Sequence, residues 1–209
     1  EQGLLALNHE YTNYEYLFGK EYTEPWTREK AMKAINAHGV SIVHLQRDGQ
    51  SGWRPVIPSR YNRRITGDTP IELTGPAAGH ALLRTSADPS GTRVRGTLNN
   101  CANGFTPWGT YLTCEENFHN YFGGGSSDPL HQRYGIGKDG GYRWFEVIER
   151  FDLRREPNEP NRFGWVVEID PFDPQSTPKK RTALGRFKHE NAAVTLAPDG
   201  RVVVYMGDD

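Results

Sequence analysis

Carboxylate and amide side chains gather beside apolar, strand-like runs at four places in the 209-residue chain. Asn8-His9-Glu10 follows Leu4–Leu7, and Cys114-Glu115-Glu116-Asn117 ends a run that starts at Thr110. His189-Glu190-Asn191 precedes a run from Ala192, and Gly207-Asp208-Asp209 closes the run before it. Oxygen donors carried on rigid strand ends suit a hard cation such as calcium, which takes about six to eight of them. Each cluster alone also reads as turn caps or solvated groups. Cys114 is the exception in kind, because a thiolate prefers a transition metal. It reads as an inert buried thiol, a half-cystine with Cys101, or a ligand to iron or zinc. On an extended strand Cys114 and Glu116 share a face and Glu115 takes the other. His189 beside Glu190 reads either as an acid–base pair or as a hydrogen-bonded structural histidine.

Other chemistries lack their signatures. There is no His-Glu-x-x-His and no Gly-x-Ser-x-Gly, which argues against a zincin and a serine hydrolase. Gly123-Gly124-Gly125 is not followed by Gly-Lys-Ser/Thr and reads as a flexible loop tip rather than a phosphate loop. The 25 basic and 26 acidic side chains leave a net charge of −1, so no basic field invites nucleic acid. No run approaches the roughly 18 apolar residues that span a bilayer. Arg60, Arg63, Arg64, Arg93, Arg95 and Arg186 read as surface charges, and Phe105–Tyr111 as packing around a turn.

The elements that must position these groups are mostly short strands. Hydrophobic residues make up 35% of the chain, with 23 Gly and 14 Pro, the balance of a turn-rich β protein. One helix is expected near 27–38, capped by Thr27 and ended by Gly39, with Ala31, Ala34, Ile35 and His38 on one face. Strands are expected over 40–46, 53–57, 93–98, 110–114 and 165–169, and a hairpin over 192–206 around Pro198-Asp199-Gly200. Phe122–Tyr142 and Phe151–Phe163 read as irregular excursions. The class is mainly β: sandwich, barrel or propeller. Both ends fall in strand-like runs, so the expectation is a single partial domain over 1–209, truncated at both termini.

Several runs resemble the PhoX alkaline phosphatases, a family formerly catalogued as a bacterial domain of unknown function. They are Leu7–Tyr11, Gly75–His80, Gly96–Gly104, Thr106–Asn117, Gly164–Pro171, Leu184–Glu190 and Tyr205–Asp209. The Thr-Pro-Trp-Gly-Thr-Tyr-Leu-Thr-Cys-Glu-Glu-Asn run is the most specific. The resemblance implies part of a β-propeller and a periplasmic or extracellular enzyme exported by the twin-arginine (Tat) route for phosphate acquisition. It implies hydrolysis of small-molecule phosphate monoesters at a cluster of iron (Fe3+) and calcium (Ca2+) ions around a bridging oxygen. An oxygen held by the ions, not a side chain, is then the expected nucleophile. By motif position it makes Cys114 an iron ligand, Glu190 a ligand in the same cluster, Asp209 or Asp208 a calcium ligand, and Glu10 a further ligand, with Glu115 or Glu116 beside them. A monomer is expected, without membrane or nucleic-acid partners, and inactive as these 209 residues alone. The competing readings are a lactonase-like calcium propeller and a non-catalytic calcium-stabilised binding domain; a Cys101–Cys114 disulfide would favour either.

Overall fold

The computed structural model describes residues 1–20, 24–49, 52–137 and 141–208. The chain is mainly β. β1 (Gln2–His9) is followed by two helices, α1 (Tyr14–Phe18) and α2 (Arg28–Ala37). β2 (Gly39–Asp48), β3 (Gly52–Pro55) and β4 (Arg63–Ile65) complete a first sheet in which β2 pairs with β1, β3 and β4. A second sheet is built from β5 (Pro70–Thr74), β6 (Arg93–Arg95), β7 (Asn100–Phe105), β8 (Tyr111–Glu115), β9 (Val166–Ile169) and β10 (Lys179–Arg181). Its order is β6-β5-β10-β9-β8-β7, antiparallel except where β10 meets β5. α3 (Pro129–Arg133) lies between β8 and β9 in the chain, and β11 (Ala193–Leu196) pairs with β12 (Val202–Tyr205) as the expected hairpin.

α2 forms where the sequence places it. Thr27 Oγ1 accepts the Lys30 amide at 3.2 Å, and Ala31, Ala34 and Ile35 are buried. Gly39 ends the turn at φ 104°, and a Cβ there would lie 2.0 Å from the Ile65 carbonyl oxygen, so β2 and β4 approach closely only around a glycine. The expected strands are present, the 93–98 one shortened to Arg93–Arg95.

The two stretches read as excursions are irregular, as expected, but they also contribute to the core. Phe122, Phe151 and Phe163 from their ends join Phe118, Tyr121 and Trp144, just outside them, as the largest fully buried aromatic side chains, and all six pack with Ile35, Ile42, Ile71 and Val167. Irregular backbone hides this from periodicity, because apolar residues on 310 turns and loops follow neither a two- nor a 3.6-residue repeat. The stretches also clasp each other. Buried His131 on α3 bonds Ser126 Oγ at 2.7 Å through Nδ1 and the Pro157 carbonyl at 2.8 Å through Nε2. Nor is Gly123 a free loop tip: its amide donates to Phe151, its carbonyl accepts from Leu153, and a Cβ would meet the Phe145 ring at 2.2 Å.

Candidate metal centre

β7 carries a bulge where it pairs with β8. Asn100 faces Glu115 and Asn103 faces Thr113, so Cys101 and Ala102 together oppose Cys114. A bulge re-aims side chains out of the regular pleat, and here it leaves Cys101 half-buried while Cys114 is fully buried. Three elements fix it. The Ala102 amide donates to the Glu190 carbonyl at 2.8 Å. Asn8, near the end of β1, donates to the carbonyls of Cys101 and Ala102 at 2.9 and 3.1 Å. Asn8 Oδ1 accepts from Tyr111 and Thr113 hydroxyls at 3.0 and 2.9 Å, so every hydrogen-bonding position of its amide is used.

Around the bulge, Glu10, Cys101 and Glu116 come together with one ligand atom each, all within 4.8 Å of one another. Glu116 is buried; Glu10 and Cys101 are half-buried. The group holds charge badly by itself. Burial raises Glu10 above the usual carboxylate range, and the nearby Glu116 raises it further. Burial pushes the Cys101 thiol up to about 12, aided by its hydrogen bond to Glu116 and by the charges of Glu116, Glu10 and Glu190. A cation among these groups would offset these shifts by favouring the charged forms. Two carboxylates beside a thiol match a mixed set in which the sulfur takes a transition metal and the oxygens serve either iron or calcium. The donor set therefore fits the ions that the resemblance implies.

Glu190 and Asp208 stand at the edge of this group. The Glu190 amide donates to the Gly207 carbonyl at 3.1 Å, the Lys188 amide to Asp208 Oδ1 at 3.0 Å, and the Gly207 amide to Asn191 Oδ1 at 3.0 Å. His189 bridges to Asp208 through the backbone, while its buried ring bonds the Gly185 carbonyl at 3.1 Å. Burial lowers the ring below the usual histidine range. Asp209 lies outside the described residues.

Two expected site residues are not members of this group. Cys114 is fully buried with Leu112, Val166 and Ala192, and burial pushes its thiol up to about 12. It follows Leu112 to the apolar face of β8, by the alternation of a strand. Glu115, one residue on, faces the main core with both oxygens engaged. Oε1 accepts from Lys180 Nζ at 2.7 Å and the Leu98 amide at 3.3 Å; Oε2 accepts the Gly164 and Trp165 amides at 3.0 and 3.1 Å. That carboxylate has no lone pair left for a cation. Both cysteines are free, so the disulfide that would have favoured the competing readings does not form. Cys101, which the sequence offered only as a disulfide partner, is the sulfur of the group. The signal was the bulge-forming Asn99-Asn100-Cys101-Ala102-Asn103-Gly104 run, whose Asn99 sits at φ 52°.

A mainly β chain that draws carboxylates and a thiol to its strand ends has the framework of a metalloprotein. A family model described as Alkaline phosphatase PhoX matches residues 1–209, and the chain belongs to that family. It is similar to the solved structure of Pseudomonas fluorescens PhoX in complex with vanadate, a transition state analogue, at 55% identity and a TM-score of 0.95. The match covers 100% of this chain and 36% of that one. No curated protein matches the chain.

Proposed function

We propose that this chain is one part of a longer PhoX-type phosphatase that hydrolyses phosphate monoesters and releases inorganic phosphate at a mixed iron and calcium cluster. The convergence of the Cys101 thiol with the Glu10 and Glu116 carboxylates carries the reading. The family match and the vanadate complex of the P. fluorescens neighbour support the reaction class. Cys101 would hold iron, Glu10, Glu116 and Glu190 would add oxygen donors, and Asp208 or Asp209 would serve calcium. When bound, such ions supply positive charge to phosphoryl oxygens and acidify water.

The chain's own residues do the positioning. Asn8 locks the bulge that presents Cys101. Glu116 accepts the Cys101 thiol proton's hydrogen bond and keeps sulfur and carboxylate adjacent. Loading the site releases the thiol proton, because the thiolate is the ligand. Lys180 holds Glu115 inside the sheet, so the adjacent Glu116 leaves the strand in a fixed direction.

The wider reading is a monomeric enzyme, exported by the twin-arginine route to the periplasm or beyond and acting on small-molecule esters. Its sheets are staves of a β-propeller. Apolar side chains exposed along the open ladders, Leu5 and Leu7 on β1 and Leu196, Val202 and Tyr205 on the hairpin, support a larger ring covering these edges. The test is hydrolysis of p-nitrophenyl phosphate by the full-length polypeptide, with calcium and then with a chelator. Turnover abolished by the chelator and restored by calcium is the expected result. A folded, metal-loaded protein without turnover would refute the proposal.

A further inference from the structure

A cavity of about 680 Å3 has a strongly cationic wall. Arg133, Arg186 and Lys188 line it, with Asp208 as the one carboxylate among its described lining residues. Asp208 bridges through the backbone to His189, the residue before Glu190, whose charge acts on Cys101.

The cations are arranged for a ligand. Arg186 is fixed: Nε donates to the Phe163 carbonyl and Nη2 to the Pro160 carbonyl, both at 2.8 Å. Its guanidinium lies against the Phe118 and Tyr134 rings, 4.8 and 4.4 Å from their centroids. Arg133, the last residue of α3, and Lys188 form no ion pair among the described residues. The phosphoryl group to be cleaved is served by the metal group. A second concentration of positive charge in a space of this size therefore faces the rest of the ester.

We infer that this cavity is a subsite for a second anionic group, a phosphate or carboxylate carried on the alcohol portion of the phosphate monoester. The inference rests on the phosphatase reading and names its substrate class: sugar bisphosphates and phosphorylated hydroxy acids over esters of neutral alcohols. Arg133 supplies a planar, multi-donor contact, Lys188 a point charge, and Arg186 a rigid back wall.

Steady-state kinetics of the full-length polypeptide on fructose 1,6-bisphosphate and on p-nitrophenyl phosphate test it. Arg133→Gln should lower kcat/KM for the bisphosphate on the order of tenfold, the loss of one charge-assisted contact, and change the p-nitrophenyl ester less than about twofold. Arg133→Lys, which keeps the charge, should retain most of the preference. Equal effects on both substrates, or none on either, would overturn the subsite while leaving the phosphatase reading intact. If the wild type turns over neither ester, the phosphatase reading falls and binding alone decides the subsite. Fructose 1,6-bisphosphate is then titrated calorimetrically into wild type and Arg133→Gln. A Kd about tenfold weaker in the variant supports the subsite, and an unchanged Kd overturns it.

Discussion

Replacing Lys180 by Met would separate the two adjacent glutamates of β8 by their roles. Lys180 and Glu115 are both fully buried, 2.7 Å apart. The substitution keeps most of the side-chain volume but removes the ammonium. Glu115 Oε1 would then keep only the long bond from Leu98, and the Arg162 carbonyl would lose its donor at 2.9 Å. The Phe163 ring would lose a cation 3.9 Å from its centroid. Removing one partner of a buried ion pair costs about 3–5 kcal/mol, because the other charge stays behind uncompensated. The assay is urea unfolding of the full-length polypeptide at constant slope, for Lys180→Met, Glu115→Gln and both together. The double variant carries no stranded charge, so it should be less destabilised than the sum by about 2–3 kcal/mol. Metal content should persist in any variant that still folds. A Lys180→Met loss under about 1 kcal/mol, with additive effects in the double variant, would refute the reasoning and return Glu115 to the candidate ligands.

Three further outcomes are expected. Cys101→Ser should strip transition metal and activity together, whereas Cys114→Ser should keep both and lose about 1–3 kcal/mol by burying a hydroxyl; elemental analysis distinguishes them. Asn8→Asp should turn two donors to the bulge carbonyls into repulsive contacts, cost about 2–3 kcal/mol, and expose Cys101 to thiol reagents in metal-stripped protein; an unchanged melting point and labelling rate would count against the bulge lock. Burial holds His38 down at about 4, against an unfolded value of 6.5. The unfolded chain therefore takes up the proton first, so stability present above pH 6.5 should fall by about 3 kcal/mol as pH drops to 4. His38→Gln should flatten that stretch of the urea midpoint–pH curve.

Where periodicity and local chemistry agree, the sequence is legible. Thr27, the Ala31–Ala34–Ile35 face and Gly39 define α2, and Pro198-Asp199-Gly200 defines the last hairpin. The aromatic core is illegible because its residues sit on irregular backbone, where burial comes from long-range packing that no window detects. The same limit affects the candidate site. Alternation along β8 assigns Cys114 and Glu116 one face, but Glu116 has already left the strand, and the decisive residue belongs to a bulge that breaks alternation on β7. Two of the four clusters of oxygen donors contribute Glu10 and Glu116 to the group. Only the register between β7 and β8 shows which sulfur shares it. Arg186 was read as a surface charge, yet its stem and guanidinium are held by two carbonyls and two rings.

The six-stranded sheet has a seam at its centre. β6-β5 and β9-β8-β7 are joined only through the three residues of β10, parallel to β5 on one side and antiparallel to β9 on the other. During synthesis, β5 and β6 leave the ribosome long before Lys179–Arg181 exist, and they wait with a bare edge. So do β7, β8 and β9. Closing the seam requires the most distant pairing in the sheet, which makes it slow and leaves unpaired strands open to wrong partners in the interval. The strand that closes it also delivers the Lys180 ammonium to Glu115. A nascent chain halted before β10 lacks both the strand that joins the two parts of the sheet and the ammonium that pairs with Glu115.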